Sequence, residues 1–172
     1  GHLEVVQALL AAGASKDQAM NDGATPLYIA SQNGHLEVVQ ALLAAGASKD
    51  QARNDGATPL HSASYKGHLE VVQALLAAGA SKDQARNDGA TPLFIASQIG
   101  HLEVVQALLA AGASKDQATK IGATPLLIAS FYGHLEVVQA LLAAGASKDQ
   151  ATKIGATPLL IASFYGHLEV VQ

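Results

Sequence analysis

The sequence predicts an all-α solenoid, a stack of helix-turn-helix units joined by polar loops with turn tips. Three observations predict it: a fixed 33-residue period, helical spacing of the apolar residues, and turn chemistry at the same points of every period. Gly-His-Leu recurs at Gly1, Gly34, Gly67, Gly100, Gly133 and Gly166, so the 172 residues are five periods followed by GHLEVVQ. A period of this length marks units that cannot bury their apolar faces alone and must stack on one another. With 49% hydrophobic and 14% charged residues, the chain is too apolar to be disordered. No run approaches the ~18 consecutive apolar residues of a membrane span.

The unit from Gly34 to Lys66 shows why each element forms. Leu36, Val39 and Leu43, and beside them Val38, Leu42 and Ala45, keep helical spacing and make two adjoining apolar faces. Glu37 complements the helix dipole in the first turn, and Gly46 suits a left-handed C-terminal cap. A polar loop follows, with Asn54-Asp55-Gly56 as its turn tip. Thr58 as N-cap and Pro59 at the first helical position then open a second helix, which Gly67 stops. Helices this short are marginal alone in water. Each buried Leu or Val contributes about 1.5–3 kcal/mol only when a neighbouring unit covers it. The array divides into a half unit at 1–19, units at 20–52, 53–85, 86–118 and 119–151, and a truncated unit at 152–172.

Thr25-Pro26-Leu27, Ala30, Gly34-His35, Val38-Val39, Leu42-Leu43 and Gly46-Ala47 together resemble the ankyrin repeat, in phase through the whole chain. The resemblance implies L-shaped repeats, β-turn fingers projecting from stacked helix pairs, and protein binding without catalysis. The family's Thr-Pro-Leu-His histidine is kept only at His61, while Tyr28, Phe94, Leu127 and Leu160 stand at its place elsewhere. That histidine ties neighbouring repeats in the family. Apolar packing is expected to replace the tie in the other four units. The family's acidic-apolar-Asn segment after Gly-Ala reads Ser48-Lys49-Asp50 here.

Between units, 26 of the 33 positions never change. The seven that do are those of Met20, Asn21, Asp22, Tyr28, Ile29, Gln32 and Asn33, and they hold every aromatic residue of the protein. The finger tips read Asn21-Asp22, Asn54-Asp55, Asn87-Asp88, Lys120-Ile121 and Lys153-Ile154. The ends of the Thr-Pro helices read Gln32-Asn33, Tyr65-Lys66, Gln98-Ile99, Phe131-Tyr132 and Phe164-Tyr165. The resemblance implies that these columns line a concave recognition face. All ten tip residues, with Tyr65, Lys66, Ile99, Phe131, Tyr132, Phe164 and Tyr165, are therefore the candidate partner-binding residues. Drift at solvent-exposed sites is the competing explanation for the polar tips. It explains Ile121 and Ile154 poorly, because a β-branched apolar residue is disfavoured at a turn tip. Phe131 and Tyr132 are adjacent on a helix and cannot share one core, so one ring of the pair is expected at the surface, where aromatics serve as interface hot spots. Rings that pack only on neighbouring repeats are the competing expectation.

Other chemistry is not expected. His2, His35, His68, His101, His134 and His167 recur once per unit, roughly 8–10 Å apart if the helices stack, too far to share a zinc ion. Each is expected to bond the local backbone at its helix start. Ser31, Ser48 and Thr25 recur too regularly for a nucleophile and read as caps and loop bonds. No Walker A or G-x-G-x-x-G sequence occurs, so neither an enzyme nor a cofactor is expected. The net charge of −4 gives no electrostatic footprint for nucleic acid. Zero cysteines and no signal-like segment fit an intracellular, cytoplasmic setting. The chain starts at the second helix of a unit and stops about two turns into another, without polar capping repeats. Two readings follow: a scaffold binding another protein on its concave face, or an architectural spacer within a longer array that stacks end to end.

Overall fold

The computed structural model describes residues 2–171, except the side chains of Glu169 and Val171. Eleven α-helices and no strands occur among the described residues: α1 (Leu3–Ala11), α2 (Pro26–Gln32), α3 (Leu36–Ala44), α4 (Pro59–Lys66), α5 (Leu69–Ala77), α6 (Pro92–Ile99), α7 (Leu102–Ala110), α8 (Pro125–Tyr132), α9 (Leu135–Ala143), α10 (Pro158–Tyr165) and α11 (Leu168–Val171). Helices α2, α4, α6, α8 and α10 pack in sequence as one layer. Helices α1, α3, α5, α7, α9 and α11 form a second layer beside it.

The caps follow from the sequence. In all five first-layer helices the N-cap threonine hydroxyl accepts an N–H from the third helical residue, as Thr58 does from His61, and proline stands at the next position. Each complete second-layer helix ends in a Schellman turn. In α3, Ala45 is the C-cap, Gly46 N–H donates to Leu43 O and Ala47 N–H to Leu42 O, both at 2.9 Å, with Gly46 at φ +76°. Ala45 therefore lies past the helix and is exposed, so it does not extend the apolar face. The last described helix is α11, Leu168–Val171, and the expected end at Gln172 lies outside the described residues.

One continuous core runs the length of the stack. Leu27, Leu60, Leu93 and Leu126 from the first layer meet Val39, Val72, Val105 and Val138, and Leu42, Leu75, Leu108 and Leu141, from the second. Every buried member of this core occupies a position that is the same in each repeat. The place of the family histidine forms a separate contact between first-layer helix and finger. Phe94 and Leu127 pack with Ala90, Ile95 and Ala123, and Tyr28 packs with Ala24 and Ala57. Apolar packing thus stands in place of the histidine tie at Tyr28, Phe94 and Leu127, whereas Leu160 is 59% exposed and makes no such contact among the described residues.

Candidate functional site

Each finger is a tight turn closed by its own backbone. Arg53 N–H donates to Ala57 O and Gly56 N–H to Arg53 O, both at 2.9 Å, with Gly56 at φ +84°. Consecutive fingers are also bonded to each other. Asn54 N–H donates to Asp22 O, Asn87 to Asp55 O, Lys120 to Asp88 O and Lys153 to Ile121 O, at 2.9–3.2 Å. The five tips therefore stand in one row. Two tip amides extend this ladder: Asn54 Nδ2 donates to Asn21 O at 3.1 Å and Asn87 Nδ2 to Asn54 O at 2.9 Å.

The two kinds of finger close differently. In the first three, the aspartate carboxylate accepts the N–H two residues on: Asp22 from Ala24, Asp55 from Ala57, Asp88 from Ala90, each at 3.0 Å. Where isoleucine replaces aspartate, a threonine at the base of the finger takes that N–H instead. Thr119 Oγ1 accepts from Ala123 at 3.2 Å and Thr152 Oγ1 from Ala156 at 3.1 Å. The bond moves from tip to base, and the tip is released to carry an apolar side chain. Ile121 is 68% exposed although a finger stands on either side of it.

The helix ends form a second row. Tyr132 is 47% exposed, while Phe131 is partly buried and meets Tyr165 of the next repeat edge-to-face at 4.6 Å. The pair thus divides: Phe131 stiffens the stack and Tyr132 faces out. Tyr65 and Ile99 are exposed, and so are both Phe164 and Tyr165. Lys66 lies over the Tyr65 ring at 5.5 Å.

The histidine column has a different role from the local one expected. At α3, α5, α7 and α9 the N-cap histidine makes no side-chain cap bond. Instead His68 Nε2 donates to Gln32 O, His101 to Tyr65 O and His134 to Gln98 O at 3.1 Å, and His167 to Phe131 O at 3.0 Å. Each acceptor belongs to the preceding repeat. The ring also lies against that repeat's glycine: a Cβ on Gly34 would come within 2.8 Å of His68. Spacing alone missed this because it concealed that the partner carbonyl is 36 residues back. The loop aspartates span repeats similarly, with Asp17 accepting from Ser48 N–H and Asp50 from Ser81 N–H at 2.8 Å. Among the described residues no cluster of three or more His, Asp or Glu could hold a metal.

The two rows meet in a cleft of about 200 Å³ lined by Tyr28, Gln32, Arg53, Asp55, Ala57, His61, Ser62, Tyr65, Arg86 and Ile95. Only Ala57 among these ten occupies a position that is constant between repeats. A larger hollow of about 390 Å³ against α1 is lined mostly by constant residues such as Val6, Val38 and Leu42. Arg53 Nη1 donates to the Tyr28 hydroxyl at 3.2 Å while its other nitrogen lies 3.4 Å from Asp22, and Arg86 pairs with Asp88 at 2.9 Å. His61 is 2% exposed. Thr58 N–H donates to its Nδ1 at 3.2 Å and its Nε2 donates to Ala90 O at 3.1 Å, which fixes the neutral ring. Burial, and secondarily the Arg86 charge, pull His61 down to about 4. Tip residue Asp55 and helix-end residue Tyr65 are brought together here. Arg53, Arg86, Tyr28 and Ser62 join them without having been singled out as contacts, although their variation between repeats was the available signal.

A family model described as Ankyrin repeats (3 copies) matches residues 1–86, 46–118, 76–152 and 93–172, which together span the chain. No curated protein matches it. Proteins with such repeats are in general protein–protein interaction modules and are typically non-catalytic. No helix among the described residues is long and apolar enough to cross a membrane.

Proposed function

The chain belongs to the ankyrin-repeat family, and on that premise we propose that it is a protein-binding scaffold whose partner lies along the finger tips and first-layer helix ends. One observation carries the reading: nine of the ten residues lining the cleft between those rows change from repeat to repeat, while the core behind them does not. A stack needs identical internal faces to propagate. Variation concentrated on one exposed cleft is chemistry the stack does not need, and a partner surface is the use that fits it. Tyr65 and Tyr132 supply aromatic area of the kind that dominates binding energy. A second reading, an architectural spacer, draws on the unbroken ladder of finger bonds from Asp22 to Lys153.

The test is capture of partner proteins by the full chain and by its Tyr65→Ala and Tyr132→Ala variants. The expected result is loss of the captured partner from both variants with unchanged far-ultraviolet dichroism. Equal capture by all three proteins would remove the cleft from the function and leave the spacer reading.

A further inference from the structure

Lys120 and Lys153 stand at adjacent tips, bonded through the backbone, and neither has an ion-pair partner among the described residues. The tips and helix ends of repeats four and five carry no carboxylate at all, although the chain as a whole has a net charge of −4. Between the two lysines stands Ile121, whose exposure is not relieved by the fingers flanking it. The exposed Tyr132 ends the helix that follows this finger. Closure by Thr119 in place of an aspartate lets the same turn carry an apolar and cationic tip where repeats one to three carry an acidic one. This stretch therefore differs in both charge and polarity from the tips of repeats one to three, where Asp22 and Asp88 are paired with arginines.

We infer that Lys120, Ile121, Tyr132 and Lys153 form a docking surface for a linear acidic-apolar segment of the partner protein, an inference that rests on the scaffold reading above. Repeats stack at about 8–10 Å, so a segment crossing two fingers must offer carboxylates about 10 Å apart. That is about seven residues on a helix or about four on a strand, where every second side chain shares a face, with an apolar side chain between them to meet Ile121 and Tyr132. Lysines at the edge of an apolar strip strengthen attraction for such a segment and repel a basic one.

The probe is a random 15-residue peptide library displayed on phage and selected on the full chain, with selected peptides measured by fluorescence anisotropy. The expected winners carry two acidic residues at one of those spacings around an apolar residue. Lys120→Glu and Lys153→Glu should each weaken them about tenfold, and raising salt should weaken them too. Ile121→Asp should weaken them further without altering helicity. Winners that depend on Tyr65 or Tyr132 but carry no acidic preference would overturn the inference and leave the scaffold reading standing. Winners indifferent to every substitution in both rows would overturn both. An empty selection would also overturn the inference, since a surface built for a linear segment should yield one.

Discussion

The first three fingers and the last two share one backbone turn and differ in what the turn displays. In the first set the tip side chains are spent on the fold: carboxylates of Asp22, Asp55 and Asp88 close their own turns, and the amides of Asn54 and Asn87 tie each finger to the one before. In the second set Thr119 and Thr152 do the closing from the base, and Lys120, Ile121, Lys153 and Ile154 stand exposed with no such duty. A structural bond can thus be relocated within a few residues, which releases an exposed position for recognition. The comparison also explains why a polar finger tip is weaker evidence of a binding site than an apolar one. An Asn or Asp in a turn always has local work available.

The largest expected effect concerns His61, which makes the second repeat unlike all others. The unfolded chain takes up a proton on this residue below about pH 6.5, whereas the folded chain does so only near 4. Stability contributed by the neutral ring is therefore present above 6.5 and lost as pH falls from 6.5 to 4, on the order of 3 kcal/mol in total. Replacing it as the neighbouring repeat does, His61→Phe, should flatten that decline in urea titrations between pH 7 and 4. An equally steep decline in the variant would assign it to other groups.

Next in size is the contrast within one aromatic pair. Phe131→Ala should cost about 2 kcal/mol in thermal unfolding, since it removes part-buried area and an edge-to-face contact with Tyr165. Tyr132→Ala should stay within about 0.5 kcal/mol, as for an exposed surface change. Equal costs would deny the division of labour between the two rings. The smallest effect tests the relocated bond itself. Thr119→Val should destabilise by about 1 kcal/mol, and adding Ile121→Asp should restore most of it, because the carboxylate can resume the closing role it has in Asp88. Simple additivity of the two changes would mean the hydroxyl and the carboxylate are not interchangeable.

The fold was legible because its determinants are local and repeated five times: threonine-proline starts, glycine stops, and leucine and valine at helical spacing. The cleft was half legible. Variation marked Arg53, Arg86, Tyr28 and Ser62 as exceptional, yet only a folded finger shows that position 53 of one repeat reaches the Tyr28 hydroxyl of the one before. What stayed hidden were bonds across repeats, such as His68 to Gln32 and Asp17 to Ser48, since an identical motif in every unit gives no hint of which copy it addresses. Adjacent aromatics predicted one outward ring correctly for Phe131 and Tyr132. The competing expectation, packing on a neighbouring repeat, holds for the inward ring: Phe131 meets Tyr165, which stands in Tyr132's place in the next repeat.

That sameness has a cost during folding. The seat each histidine takes on the preceding glycine is reproduced at Gly34, Gly67, Gly100 and Gly133 with nearly the same closeness. Nothing at these junctions tells one neighbour from the next, so a chain can dock repeat two directly on repeat four with the intervening 33 residues looped out. Doubling a loop's length costs only about 0.6 kcal/mol, a slight penalty against such skipped registers. The junctions that make the array extensible also admit skipped registers, and a correctly ordered stack is told from a shuffled one by its variable inter-repeat contacts: the finger tips, Arg53 on Tyr28, and Phe131 on Tyr165.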